Sequence, residues 1–177
     1  MKPARSFRLL LPLTLTLALA LSSSKGFCQS KADFETMHNF RRTFHERAQD
    51  FISFAKASKS PDEPAWIAES LISIAGQYTR ECAFIAEEVF IVLSLETETD
   101  KQIARKILRE RLNDSSREID EYTLGLINED LANATRPATV AGGNKLKDDL
   151  RGLQKTLQEI SDKAPESGKV PTAKKTE

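Results

Sequence analysis

The chain has 177 residues, with 26 basic and 26 acidic side chains, two histidines and two cysteines. Setting aside the first 28 residues, which hold four basic residues and no acidic one, leaves 22 basic against 26 acidic residues. That acidic balance disfavours nucleic-acid binding, which shows as a basic excess, and the roughly 149 residues that remain are the size of one domain.

Lys2, Arg5 and Arg8 lead into an apolar run, Leu9 to Leu21, which ends in Ser22-Ser23-Ser24-Lys25-Gly26-Phe27-Cys28. This order is that of a secretory signal peptide, and the run is shorter than the ~20 apolar residues a membrane-spanning helix needs. Small residues offer cleavage after Ala20, Ser24 or Cys28, of which the last leaves the polar start Gln29. Phe27, where a small residue is required, argues against a lipid anchor on Cys28. Cleavage after Cys28 leaves Cys82 as a lone thiol, which excludes an intramolecular disulfide and a multi-thiolate zinc site. An earlier cut would keep Cys28 available to pair with it.

The remaining chain carries apolar residues at spacings of three and four, the helical period. A first stripe is Phe34, Met37, Phe44, Ala48, Phe51 and Ala55, widened by Phe40 and Phe54. A second is Ile67, Leu71, Ile74, Tyr78, Cys82, Ile85, Val89 and Leu93; a third is Leu108, Leu112, Ser115, Ile119, Tyr122 and Leu126. The fourth, Leu146, Leu150, Leu153, Leu157, Ile160 and Ala164, has coiled-coil heptad spacing. Charge at Leu112 or Leu153 should therefore be severely destabilising.

Start and stop signals bound these stripes. Ser60-Pro61-Asp62-Glu63 reads as a capping box with proline at the first helical position. Thr97 to Asp100 is a second start, with Glu98 and Asp100 where the helix dipole favours negative charge. Arg136-Pro137 disfavours helix at Arg136, and Gly142-Gly143-Asn144 reads as the end of a connection. Helices are expected over 31–58, 63–95, 99–134 and 144–164, forming a domain over 29–164 with a disordered tail over 165–177. Short links force antiparallel neighbours, so the expected fold is all-α, an up-down four-helix bundle.

Such a bundle sets Phe44 level with Gly76, His38 level with Cys82, and Gly125 level with Gly152. It also brings Glu87 and Glu88 level with Arg105, Lys106 and Arg109, an arrangement for interhelical ion pairs. Adjacent glutamates point about 100° apart on a helix, so they do not form a convergent catalytic pair.

Helical bundles often carry metal or haem, but the ligand inventory is thin. Glu35-Thr36-Met37-His38 is the sole Glu-x-x-His, and His45 lies on the same helix, so a di-iron carboxylate set fails on count. The Cys-x-x-Cys-His of c-type haem is absent, and Met37, His38 and His45 cannot supply axial ligands from opposing helices. One constellation remains, Glu35 and His38 level with Glu81 and Cys82, whose ligand types suit zinc or copper. Nucleophilic motifs and phosphate-cradling glycine loops are missing. The sequons at Asn113 and Asn133 fall inside helices. A cationic stripe of Lys101, Arg105 and Arg109, with Lys106 beside it, and a second group of Arg41, Arg42 and Arg47 are candidate contacts for an acidic partner. The expected function is that of an exported, periplasmic or extracellular, non-enzymatic protein that binds a protein or an anionic envelope component, without cofactor, nucleic acid or membrane anchor after cleavage. The competing reading is a helical carrier of a metal near His38 and Cys82 or of a small apolar molecule.

Overall fold

The computed structural model describes residues 29–57 and 63–163. The segment 1–28, read above as a signal peptide, Ser60 to Asp62 of the first start signal, and the segment 165–177, read as a disordered tail, lie outside the described residues. Those described are almost wholly helical, with no strand among them: α1 (Lys31–Ala57), α2 (Ala65–Ser94), α3 (Glu98–Glu118), a π-helical turn (Ile119–Thr123), α4 (Leu124–Asn133) and α5 (Pro137–Asp162). Backbone angles stay right-handed helical from Glu118 to Leu124, so α3, the π turn and α4 form one continuous rod and the described residues make four rods. No described helix is long and apolar enough to cross a membrane.

Ring contacts, ion pairs and hydrogen bonds join neighbouring rods. Phe34 meets Phe90 and Phe44 meets Tyr78 between α1 and α2. Arg111 pairs with Glu88, and Gln77 with Glu118, between α2 and α3. α5 is tied to α1 by Lys163–Asp33 and Arg47–Asp149, and to the α3–α4 rod by Ser161–Asn113 and Lys147–Asn128. The core collects the stripe residues of all four rods, from Met37, Phe44 and Phe51 through Tyr78, Cys82 and Ile85 to Leu112, Ile127, Leu153 and Ile160. Leu112 and Leu153 are fully buried, as their spacing requires.

Local chemistry explains the helix ends. At α1, Ser30 Oγ accepts from the Asp33 amide and Asp33 Oδ2 accepts from the Ser30 amide, a reciprocal cap with aspartate in the third position. At α3, Thr97 Oγ1 accepts from the Asp100 amide, as the start signal there implies. α2 begins at Ala65, after Pro64, so Glu63 stands outside the helix it was expected to cap. Its side chain instead crosses to α5. Oε1 accepts from the Thr135 and Arg136 amides, Oε2 accepts from the Thr139 hydroxyl, and Arg136 Nε lies 3.5 Å away. A buried carboxylate thus caps the start of a helix more than seventy residues away in sequence.

Three other expectations are corrected. α5 starts at Pro137, seven residues before 144, and runs through the glycine pair. A Cβ on Gly142 would come 2.9 Å from the Phe51 ring, and one on Gly143 would come 2.5 Å from a Leu131 methyl. These glycines are interior residues that let α5 approach α1 and α4 closely. In the third rod, Tyr122 is exposed and Leu126 only half-buried, while Thr123 and Ile127 turn inward. The π turn adds one residue to the spacing, which advances the core stripe from 122 and 126 to 123 and 127. The Gly76 and Gly125 pairings also fail. Gly76 faces only Arg80, Gly125 has open space beside it, and Gly152 packs on Phe40.

Candidate functional site

The α2/α3 seam changes character along its length. Toward the π turn it is polar. Gln77 donates to Glu118, Ser115 Oγ donates to Glu81, and Arg111 reaches both Glu88 at 2.7 Å and Glu81 at 3.6 Å. Burial works against the Arg111 charge, yet the two carboxylates outweigh it and hold its pKa above the usual guanidinium value. Glu81, Ile107, Arg111, Asp114, Ser115 and Glu118 line a groove of about 420 Å³ here.

Toward the α2–α3 link the seam is apolar and open. Phe84 and Ile91 lie two turns apart on α2, and Ile103 and Ile107 lie one turn apart on α3. The Arg111 guanidinium sits over the Phe84 ring at 6.0 Å, which joins Phe84 to the edge of α3 that carries Ile107. These four side chains are 50–57% exposed, and Phe90 and Leu93 extend the apolar end of α2. Isolated surface apolar residues are ordinary; several on adjoining helix edges form a contact patch. This strip is not legible in the sequence, because Phe84, Ile91, Ile103 and Ile107 fall outside the core stripes and carry neither charge nor a metal-ligating group.

The residues singled out from sequence sit elsewhere. Arg105 is buried and paired with Glu98 at 2.6 Å, while Lys101 and Arg109 are half-buried, so the stripe of period four turns toward the protein. Glu88 does find a cation on α3, but it is Arg111; Lys106 pairs with Glu110 on its own helix, and Glu87 points to solvent. The proposed metal set is not brought together. Glu35 is exposed beside Lys31, His38 is exposed and packs edge-on against Phe34, and Glu81 is held by Ser115 and Arg111. Cys82 is fully buried, and burial pushes its thiol pKa up to about 12, the state of a small buried hydrophobe. Among the described residues no group of three or more His, Cys, Asp or Glu side chains could hold a metal ion.

A second groove, of about 450 Å³, lies between α1 and α2 and is lined by His38, Asn39, Arg41, Arg42, His45 and Thr79. Comparison with known proteins returned no matching family model, no matching curated protein and no matching solved structure.

Proposed function

We propose that this protein is exported and non-enzymatic, an up-down four-helix bundle that works by binding a protein partner through the α2/α3 seam. The observation that carries the reading is the set of apolar side chains Phe84, Ile91, Ile103 and Ile107 on α2 and α3, each at least half exposed. Burying such side chains at an interface releases roughly 25 cal/mol per Å² of apolar surface. The polar half of the seam, with its carboxylates and Arg111, supplies the rim that gives an apolar contact its orientation. Export is supported by the basic, apolar and small-residue order of residues 1–28.

The test combines processing and partnering. The exported form should have a mass lacking about the first 28 residues. It should elute from the producing cells in a complex, whereas an Ile103→Ser/Ile107→Ser variant should elute alone with its helicity and thermal midpoint unchanged. A full-length chain retained in a membrane refutes export. A double variant that keeps its complex, or that unfolds at a lower temperature, refutes the seam as the contact.

A further inference from the structure

The groove between α1 and α2 is lined by two arginines, two histidines, an asparagine and a threonine, with no acidic side chain among them. Arg41, Arg42, His38 and His45 all lie within two turns of α1, at spacings of three, four and seven that place them on adjoining rows of one helix surface. Arg41 and Arg42 are permanent cations side by side in the sequence on this lining, a pairing best accommodated where a counter-charge answers it. Among the described residues the fold provides none. Ion pairs occupy Arg47, Arg105, Arg111, Arg117, Arg136 and Arg151. By contrast, neither Arg41 nor Arg42 has a carboxylate within ion-pair distance among the described residues, and Arg42 makes only a 3.4 Å bond to Asn39.

The nearby carboxylates confirm the pattern. Glu46 stands one turn beyond Arg42, where a pair is geometrically allowed, and none forms. Glu35 is engaged by Lys31, and Glu81, on the facing stretch of α2, is turned to α3 by Ser115 and Arg111. Arg80, next to Thr79 on α2, is a third arginine without an ion pair, and it lies near Gly76. Arg41 and Arg42, both lining the groove and without an ion pair among the described residues, concentrate positive potential there.

We propose that this α1/α2 groove binds a ligand bearing more than one phosphoryl oxyanion, with Arg41 and Arg42 as its principal contacts. His38 to His45 covers about 10 Å of helix, longer than a single phosphate and matched to two or more in succession. Guanidinium groups present paired N–H donors that suit phosphoryl oxygens. Asn39 and Thr79 add neutral polar contacts, and Thr79 keeps an acceptor face while its hydroxyl donates to the Ala75 carbonyl. The site is separate from the seam and does not depend on it.

Titration calorimetry with tripolyphosphate, and sedimentation with vesicles of phosphatidylglycerol in phosphatidylcholine, test the proposal and separate a free from a lipid-borne phosphate. Binding in either arm should weaken about tenfold in Arg41→Gln/Arg42→Gln, a change of about 1.4 kcal/mol. It should be unchanged in Arg117→Gln/Arg151→Gln, which removes equal charge at paired sites. Far-UV circular dichroism should report the same helicity for both variants, because these side chains are exposed and glutamine is a good helix former. Absence of binding in both arms overturns the proposal, and so does equal weakening by the two double variants, which would mark a response to net charge alone.

Discussion

The hydroxyls of Tyr78 on α2 and Thr123 in the π turn lie 2.9 Å apart inside the core, and neither side chain reaches solvent. A buried phenol needs a partner, and the extra residue of the π turn is what swings Thr123 inward to provide it. Tyr78→Phe and Thr123→Val should each cost about 1–3 kcal/mol, because either change leaves the partner hydroxyl buried and unpaired. The double variant should cost less than the sum of the two, as measured by urea unfolding; strict additivity would mean that the bond contributes nothing.

Alkaline pH should weaken the fold through two groups. Burial raises the Tyr78 phenol from 10.0 to about 12 and the Cys82 thiol from 9.0 to about 12. Each stays protonated in the folded chain after its unfolded counterpart has ionised, so the unfolded state binds fewer protons and stability falls as pH rises. The loss should begin near pH 9 and continue toward 12. Cys82→Ala should flatten the first part of that decline in a series of thermal unfolding curves, at the price of a core cavity.

The glycines separate into opposite classes. Gly125 has nothing within 4 Å of an added Cβ, so Gly125→Ala should stabilise by roughly 0.5–1 kcal/mol through helix propensity. At Gly142 the added atom would fall 2.9 Å from Phe51 and 3.2 Å from Phe54. Gly142→Leu should therefore destabilise by about 1–3 kcal/mol or more, the usual cost of overpacking. Chemical denaturation of the two variants should shift the midpoint in opposite directions.

Glu63 offers a fourth measurement. Glu63→Ala strips the Thr135 and Arg136 amides and the Thr139 hydroxyl of their acceptor and should cost about 2–4 kcal/mol. Glu63→Gln retains one oxygen for the amides and should cost less. Hydrogen exchange should locate the added opening in the first turn of α5; a loss confined to α2 would show that Glu63 acts there instead.

Periodicity carried most of the fold. The expected helices 31–58 and 63–95, and the rod 99–134, match the observed elements to within two residues at each end, because apolar spacing is a property of one helix at a time. What escaped the sequence depends on a second element. Gly142 and Gly143 look like breakers until Phe51 and Leu131 are seen against them. Tyr122 fits the heptad until the π turn shifts it. Lys101, Arg105 and Arg109 have the spacing of a free surface, yet their helix turns that row inward and Glu98 takes Arg105. The seam was hidden for the complementary reason: Phe84 and Ile91 belong to no stripe, and only the position of α3 sets Arg111 over the Phe84 ring.

The bonds that Glu63 makes with residues 135–139 carry a consequence for folding in time. A newly made chain can wind α1 and α2 from local contacts long before residue 135 exists, and until then the Glu63 carboxylate remains in water, where it is well solvated. It becomes buried only when α5 arrives and offers its amide donors. Docking of the last helix therefore depends on Glu63 being already in place before α2, so α5 should be the last rod to lock during refolding and the first to fray.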